Sequence, residues 1–145
     1  MIRTALRYLL AGSYAVAGWF HLTAPALFLR IMPGWVPEPE TVILLTGLAE
    51  FAGAGALAQP WSPSLRRVGA TGLALYALCV WPANINHMLL DIAKPDGGWG
   101  LAYHIPRMIA QPVIIWLALW VGEVIDWPFA KPRRREQRTS TRTSD

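Results

Sequence analysis

The chain has 145 residues, of which 54% are hydrophobic and 15% charged. A soluble domain carries about 25% charged residues, so the composition disfavours an ordinary soluble enzyme domain. It also excludes a mainly disordered chain, which needs high net charge and few apolar residues. What remains is a small membrane protein or an unusually apolar soluble bundle.

Four apolar segments are long enough to cross a bilayer, which takes about 20 helical residues. In chain order they are residues 4–29, 42–58, 68–90 and 105–125. Arg3 and Arg7 near the N-terminus also resemble the start of a secretory signal peptide, but the apolar run continues beyond the length typical of one. Without period-two alternation, the segments predict an all-α fold, a four-helix antiparallel transmembrane bundle over residues 1–128.

The basic residues are unequally distributed about these spans. Ten of the 13 Lys and Arg residues lie near the N-terminus, between the second and third spans, or in the tail. Four spans bring these regions to one side of the membrane, which the positive-inside rule assigns to the cytoplasm. We therefore predict a multi-pass protein of the inner membrane with both termini cytoplasmic. The net charge of +4 then indicates orientation, and no nucleic-acid partner is predicted.

The tail, residues 129–145, is rich in Arg, Ser and Thr and has no apolar face. We predict a flexible cytoplasmic segment that is attracted to anionic lipid by about 1 kcal/mol for each basic residue near the surface. The lipid bilayer is therefore the first predicted partner.

Seven polar residues fall within or beside the predicted spans, where such groups are costly and often functional. They are His21, Glu50, Asn84, His87, His104, Arg107 and Gln111. Four antiparallel spans place all seven in the outer half of the bundle. Two interpretations stay open: a polar cluster that holds the helices together, with Arg107 or a His paired to Glu50, or a ligand pocket open to the outer face. The expected apolar walls of that pocket are Phe20, Trp81 and Trp99.

Other chemistries have little support. The single cysteine, Cys79, excludes an intramolecular disulfide or dithiol reaction. No metal site is predicted, because the sequence lacks His-x-x-x-His and Glu-x-x-His spacings and any ligands would have to be assembled across helices. Asp91 and Asp96 are expected in solvated loops. No catalytic residue is assigned, and whether the chain is an enzyme stays open.

A series of short motifs runs in order from Tyr14 to Trp120. They are Gly18-Trp19-Phe20-His21, Arg30-Ile31-Met32-Pro33, Trp35-Val36-Pro37, Gly47 with Glu50, Arg66-Arg67, Trp81-Pro82-Ala83-Asn84-Ile85, Arg107, and Gln111-Pro112. Together they resemble the DoxX-like family of small four-helix membrane proteins. His87 and His104 are not part of this resemblance, and Leu22 stands where family members often have Phe.

The resemblance implies an accessory or ligand-binding subunit of a quinone-linked membrane redox complex. The outer-half pocket would then hold a quinone-like or lipid-like ligand, and other subunits of the complex would be partners. Two alternatives stay open: a purely structural subunit in a larger membrane assembly, and a protein that binds lipid or another hydrophobic small molecule. No cofactor motif is evident, which makes a stand-alone enzyme the least favoured hypothesis.

Overall fold

The computed structural model describes residues 1–129, and the regular structure of these residues is entirely helical. The five helices are α1 (Ile2–Thr23), α2 (Pro25–Leu29), α3 (Pro39–Ala58), α4 (Pro63–Ile92) and α5 (Leu101–Val121). The predicted all-α class is confirmed. The tail predicted at residues 129–145 lies, apart from its first residue, outside the described part of the chain.

The prediction of four helices is wrong, because the first predicted span, residues 4–29, forms two helices. The break is at Ala24, whose φ of −135° is not helical. Pro25 follows it, and a proline disfavours the helical conformation in the residue before it. The short helix α2 therefore starts at the proline, with a new direction.

Three helices, α3, α4 and α5, are long and apolar enough to cross a membrane. By length and composition the chain is thus a membrane protein. The first predicted span, residues 4–29, is not represented among these three helices. Helix α1 is 22 residues long, but Arg3, Arg7 and His21 lower its mean hydropathy.

Proline, serine and glycine define the starts of these helices. Pro39 and Pro63 occupy the first turns of α3 and α4, where the missing N–H leaves no hydrogen bond unmade. Ser62 caps α4, because its hydroxyl accepts a hydrogen bond from the N–H of Leu65 at 3.2 Å. Gly100, with a φ of 72°, leads into α5. Each of these helices consequently begins a few residues before the predicted apolar segment.

The four long helices pack in antiparallel order, with α1 against α3, α3 against α4, α4 against α5, and α5 against α1. Small residues allow the closest approaches. A Cβ placed on Gly18 would lie 2.9 Å from the carbonyl oxygen of Gly47, and one on Gly69 would overlap the side chain of Ala56. Such close contacts are typical of helix packing in membranes, where dispersion contacts replace the hydrophobic effect.

The two ends of the bundle differ. At the terminal end, Arg3 donates from Nε to the carbonyl of Trp120 at 2.7 Å and pairs with Asp126 at 3.1 Å. The opposite end, the loop end, carries the connections at residues 24–38 and 93–100. The first turn of α1 and the segment after α5 therefore lie together at the terminal end.

The buried apolar core lies mainly toward the terminal end. Its members are Leu10, Ala11, Tyr14, Ala54, Leu57, Ala70, Leu73, Ala74, Ala118, Trp120 and Val121. Toward the loop end the buried side chains include His21, Glu50, Asp91, His104 and Gln111. The apolar core thus leaves the other half of the bundle to polar groups and to a cavity.

Candidate functional site

A cavity of about 680 Å³ lies between the helices in the half of the bundle nearer the loop end. All five helices and the segment 31–36 contribute to its lining, which is mostly apolar. The polar side chains that line it include Ser13, Tyr14, His21, Thr46, Glu50, Tyr76, Asn84, Arg107 and Gln111. The cavity thus combines an apolar interior with a few polar groups, as small-molecule sites do.

Five of the seven predicted site residues line this cavity. They are His21, Glu50, Asn84, Arg107 and Gln111. His87 and His104 do not line it. The predicted apolar walls are wrong: Phe20, Trp81 and Trp99 are not part of the lining, whereas Phe28 and Trp35 are. Phe20 and Trp99 point outward, with 49% and 69% of their surface exposed.

Glu50 and His21 form the first polar group of the cavity, the Glu50 site. Glu50 is 2% exposed, and its Oε2 lies 2.7 Å from Nδ1 of His21. The same Nδ1 lies 3.0 Å from the carbonyl oxygen of Ala17, one turn earlier in α1. Since both neighbours are acceptors, Nδ1 carries the proton. This contact matches one arm of the packing interpretation, in which a histidine pairs with Glu50.

The hydrogen bonding of Glu50 is incomplete. Among residues 1–129, no donor is aligned for a hydrogen bond with its buried Oε2, because the N–H of His21 is directed largely toward Ala17. A buried carboxylate oxygen without a donor is costly. This oxygen is therefore available to a group that enters the cavity.

Helix packing creates the Glu50 site. The absence of side chains at Gly18 and Gly47 brings α1 and α3 into contact, and a Cβ on Gly47 would lie 3.0 Å from Cβ of His21. The ring of Phe28 in α2 stacks on the imidazole, with centroids 3.7 Å apart and planes at 19°. The break at Ala24 thus returns an aromatic ring over the histidine of the preceding helix.

Arg107 on α5 forms the second polar group of the cavity. It donates to Oδ1 of Asn84 at 2.6 Å and to Nδ1 of His87 at 3.0 Å. Its guanidinium also lies over the ring of Tyr103, 5.1 Å from the centroid. Arg107 forms no ion pair with the described carboxylates, so the packing interpretation in which it pairs with Glu50 is wrong. A half-buried guanidinium with unused donors faces the cavity instead.

Gln111, one turn further along α5, joins two helices. Its Nε2 donates to the carbonyl oxygen of Ala77 on α4 at 2.6 Å. This carbonyl lies one residue before Leu78, whose own carbonyl loses its helical partner because Pro82 has no N–H. Gln111 therefore stabilises α4 close to the proline, while it also lines the cavity.

Outside the cavity, toward the loop end, four residues surround Asp91 to form the Asp91 cluster. His104 Nε2 lies 2.9 Å and His87 Nε2 3.5 Å from Oδ2 of Asp91. The N–H of Trp99 donates to the same oxygen at 3.1 Å, and Lys94 pairs with Oδ1. Asp91 and His104 are both fully buried. Ligand atoms of Asp91 and the two histidines lie within 4.8 Å of one another, a grouping that can hold a metal ion.

The expectation that Asp91 lies in a solvated loop is wrong. Helix α4 continues to Ile92, two residues past the predicted span, and the following loop folds back over the carboxylate. Gly98, with a φ of 56°, packs directly on Asp91, where a Cβ would overlap the carboxyl group. The signal that could have revealed the cluster is the i, i+4 spacing of His87 and Asp91, which places both on one helical face.

The fold and cavity define an α-helical membrane protein with a mostly apolar internal site and two polar groups. Residues 10–122 match a family model described as a domain of unknown function, DUF8561. The chain belongs to this family. No curated protein and no solved structure matches the chain significantly.

Proposed function

We propose that the protein binds an amphipathic small molecule inside the bundle, as the ligand-binding or accessory subunit of a quinone-linked membrane redox complex. The observation that carries this proposal is the cavity of about 680 Å³. Sites for small molecules are typically 300–1,000 Å³, apolar, and equipped with a few polar groups that fix orientation. The DoxX-like resemblance supports the quinone as the ligand class.

The two polar groups suit the head group of a quinone. A quinone presents two carbonyl acceptors, and its reduced form presents two hydroxyl donors. Arg107 has five N–H donors, of which the described contacts to Asn84 and His87 use two. Glu50 offers an acceptor without an aligned donor. Arg107 would thus hold a carbonyl oxygen, and Glu50 would accept a hydrogen bond from a hydroxyl.

Redox chemistry would come from the partner subunits of the complex. Reduction of a quinone takes two electrons and two protons, and this chain has no evident group that supplies the electrons. The proton on Nδ1 of His21, 2.7 Å from Glu50, would serve the proton half of that exchange at the wall of the cavity. In this proposal the chain positions the ligand and handles protons.

For the membrane topology, we propose that α1 is a fourth crossing, with both ends cytoplasmic in the inner membrane. Three crossings alone would separate the two ends of the described chain across the bilayer. The contact between Arg3 and Asp126 supports an even number, because it holds these ends together. The basic residues near the starts of α1 (Arg3 and Arg7) and α4 (Arg66 and Arg67) support the cytoplasmic side.

The test is ligand recovery followed by binding. Protein purified in mild detergent is extracted and the extract analysed by mass spectrometry, and binding of a short-chain quinone is then measured. We expect Glu50→Gln and Arg107→Gln to weaken binding about tenfold or more, since each removes a hydrogen bond to a charged group. Glu40→Gln, an exposed position on the same helix as Glu50, is the matched control.

The outcomes separate the parts of the proposal. A bound lipid in place of quinone would support the cavity and overturn the quinone assignment. An empty extract, together with equal affinities of the Glu50→Gln variant and the wild type, would overturn ligand binding itself.

A structural role in a larger assembly is the second candidate. A shallow groove of about 310 Å³ between α3 and α4 is lined largely by small residues. They include Ala49, Ala52, Gly53, Ala56, Gly69 and Gly72. Such a surface allows close approach of another membrane helix. A Cβ on Gly72 meets nothing within 4 Å, so Gly72→Ala would add a methyl group to the groove without contacting the bundle. Loss of a co-purifying subunit in this variant, but not in Gly12→Ala, supports the structural role.

A further inference from the structure

We propose that His87, Asp91 and His104 form a binding site for a divalent transition-metal ion beside the cavity, at the loop end of the bundle. The three residues come from two helices, α4 and α5, and their ligand atoms lie within 4.8 Å of one another. Two imidazoles and one carboxylate are a common donor set for Zn²⁺ and Fe²⁺ in proteins. The inference concerns residues outside the cavity lining and does not depend on the proposed ligand.

The spacing of the ligand atoms suits a metal ion. In a tetrahedral site with bonds of about 2.0–2.1 Å, neighbouring ligand atoms are about 3.3 Å apart. Oδ2 of Asp91 lies 2.9 Å from Nε2 of His104 and 3.5 Å from Nε2 of His87. These two distances lie on either side of the tetrahedral value, and all three ligand atoms lie within 4.8 Å of one another, so the side chains would close in around the ion.

The surroundings hold the carboxylate in place. The N–H of Trp99 donates to Oδ2 of Asp91 at 3.1 Å, and Lys94 pairs with Oδ1. Hydrogen bonds of this kind orient the ligands of metal sites. The side chains of Asp91 and His104 are fully buried, whereas that of His87 is 17% exposed. An ion and its remaining water ligands would therefore enter from the side of His87.

Binding of an ion would require the ring protons of the two histidines to move from Nε2 to Nδ1. Arg107 donates to Nδ1 of His87, so the proton of the neutral ring lies on Nε2, directed toward Asp91. An ion on Nε2 requires the proton on Nδ1, which can no longer accept a hydrogen bond from Arg107. Nδ1 of His104 is buried and has no partner among residues 1–129, so no such bond opposes the same shift there.

The experiment uses tag-free, chelator-treated protein in detergent, titrated with Zn²⁺ by calorimetry. We expect one bound ion per chain, and at least a tenfold weaker affinity in His87→Gln and His104→Gln. Asp96→Asn is the matched control, because Asp96 is an exposed carboxylate in the same loop. Circular dichroism verifies that each variant is folded.

A measurement on the wild type alone avoids dependence on folded variants. Co²⁺ in place of Zn²⁺ should give the visible absorption bands of a four-coordinate site. The absence of stoichiometric binding, or equal Zn²⁺ affinities of wild type and His87→Gln, would overturn the proposal. Neither result would affect quinone binding at the Glu50 site, so the two proposals fail independently.

Discussion

Two buried carboxylates, Glu50 on α3 and Asp91 on α4, each lie beside a histidine, yet their surroundings differ. The donors around Asp91 are His104, Lys94 and the backbone N–H of Trp99, with His87 slightly further away. Glu50 lies beside His21 and Tyr76, and its Oε2 lacks an aligned donor among the described residues. Glu50 also lines the cavity, whereas Asp91 does not.

The difference separates a carboxylate whose two oxygens both have donors nearby from one with an oxygen open to a ligand in the cavity. Several donors from a helix end, a loop and a second helix satisfy Asp91, so it connects α4, the 93–100 loop and α5. Glu50 on α3 contacts His21 on α1 and lies beside Tyr76 on α4, and its Oε2 remains without an aligned donor among the described residues. Buried polar groups that are fully satisfied rigidify a structure, while unsatisfied ones call for an explanation.

The largest expected effect follows replacement of the satisfied carboxylate. Asp91→Asn places an amide N–H₂ among the donors around Asp91, so at least one buried donor loses its acceptor. We expect the thermal midpoint in detergent to fall on the order of 10 °C. Circular dichroism measures the midpoint, with the exposed Asp96→Asn as control. Equal midpoints for the two variants would contradict the organising role of Asp91.

The next effect tests how the Glu50 site is assembled. In Gly18→Ala the new Cβ would lie 2.9 Å from the carbonyl of Gly47 and 3.3 Å from Cβ of Glu50, which forces α1 away from α3. We expect a loss of about 1–3 kcal/mol in stability. Gly12→Ala on the same helix meets nothing within 4 Å and should stabilise by about 0.5–1 kcal/mol. Denaturation of both variants measures these changes in stability. A loss of stability in Gly12→Ala but not in Gly18→Ala would contradict the close packing of α1 on α3 at Gly18.

A smaller effect is expected where the cavity borders the Asp91 cluster. Asn84→Ala removes the acceptor of the 2.6 Å hydrogen bond from Arg107. Hydrogen bonds between membrane helices contribute about 0.6 kcal/mol on average, and we expect a loss of that size. Thr71→Ala, at an exposed position of the same helix, provides the baseline for the thermal measurement. A loss as large as that of Asp91→Asn would place Asn84 within the organising network.

The smallest change in stability is expected for Glu50→Gln. The variant loses the contact between the carboxylate and Nδ1 of His21 but also removes a buried carboxylate oxygen that lacks an aligned donor. We expect these terms to offset each other, with a net change within about 0.5 kcal/mol of zero. The thermal midpoint in detergent, measured by circular dichroism, tests this expectation. A fall like that of Asp91→Asn would remove the distinction between the two carboxylates.

The apolar segments of the sequence predicted much of the fold, because α3, α4 and α5 are long runs of apolar residues with few charges. They also placed Arg107 and Gln111 on one face of α5. Arg107 and Gln111 lie one turn apart on α5, and both contact α4, through Asn84 and Ala77. Spacing along a helix is enough for such contacts, because residues three or four apart share a face.

The Asp91 cluster was not predicted, because its burial depends on contacts distant in sequence. Asp91 follows the last apolar residues of its span, and a charge at that position normally faces solvent. It is buried only because the loop returns over it and brings the N–H of Trp99 and the ring of His104. The break at Ala24 was locally predictable, since Pro25 follows it, but the apolar run concealed that signal.

Arg107 donates from one nitrogen to His87 in the Asp91 cluster and from another to Asn84 at the cavity. If both proposed sites bind, this shared side chain would couple the two equilibria. An ion that removes His87 as an acceptor would release Arg107 toward the cavity and change its affinity for a ligand. By thermodynamic reciprocity, a cavity ligand would then change the affinity for the ion by the same factor. A binding measurement at one site with the other site empty would therefore miss part of the range of states available to the protein.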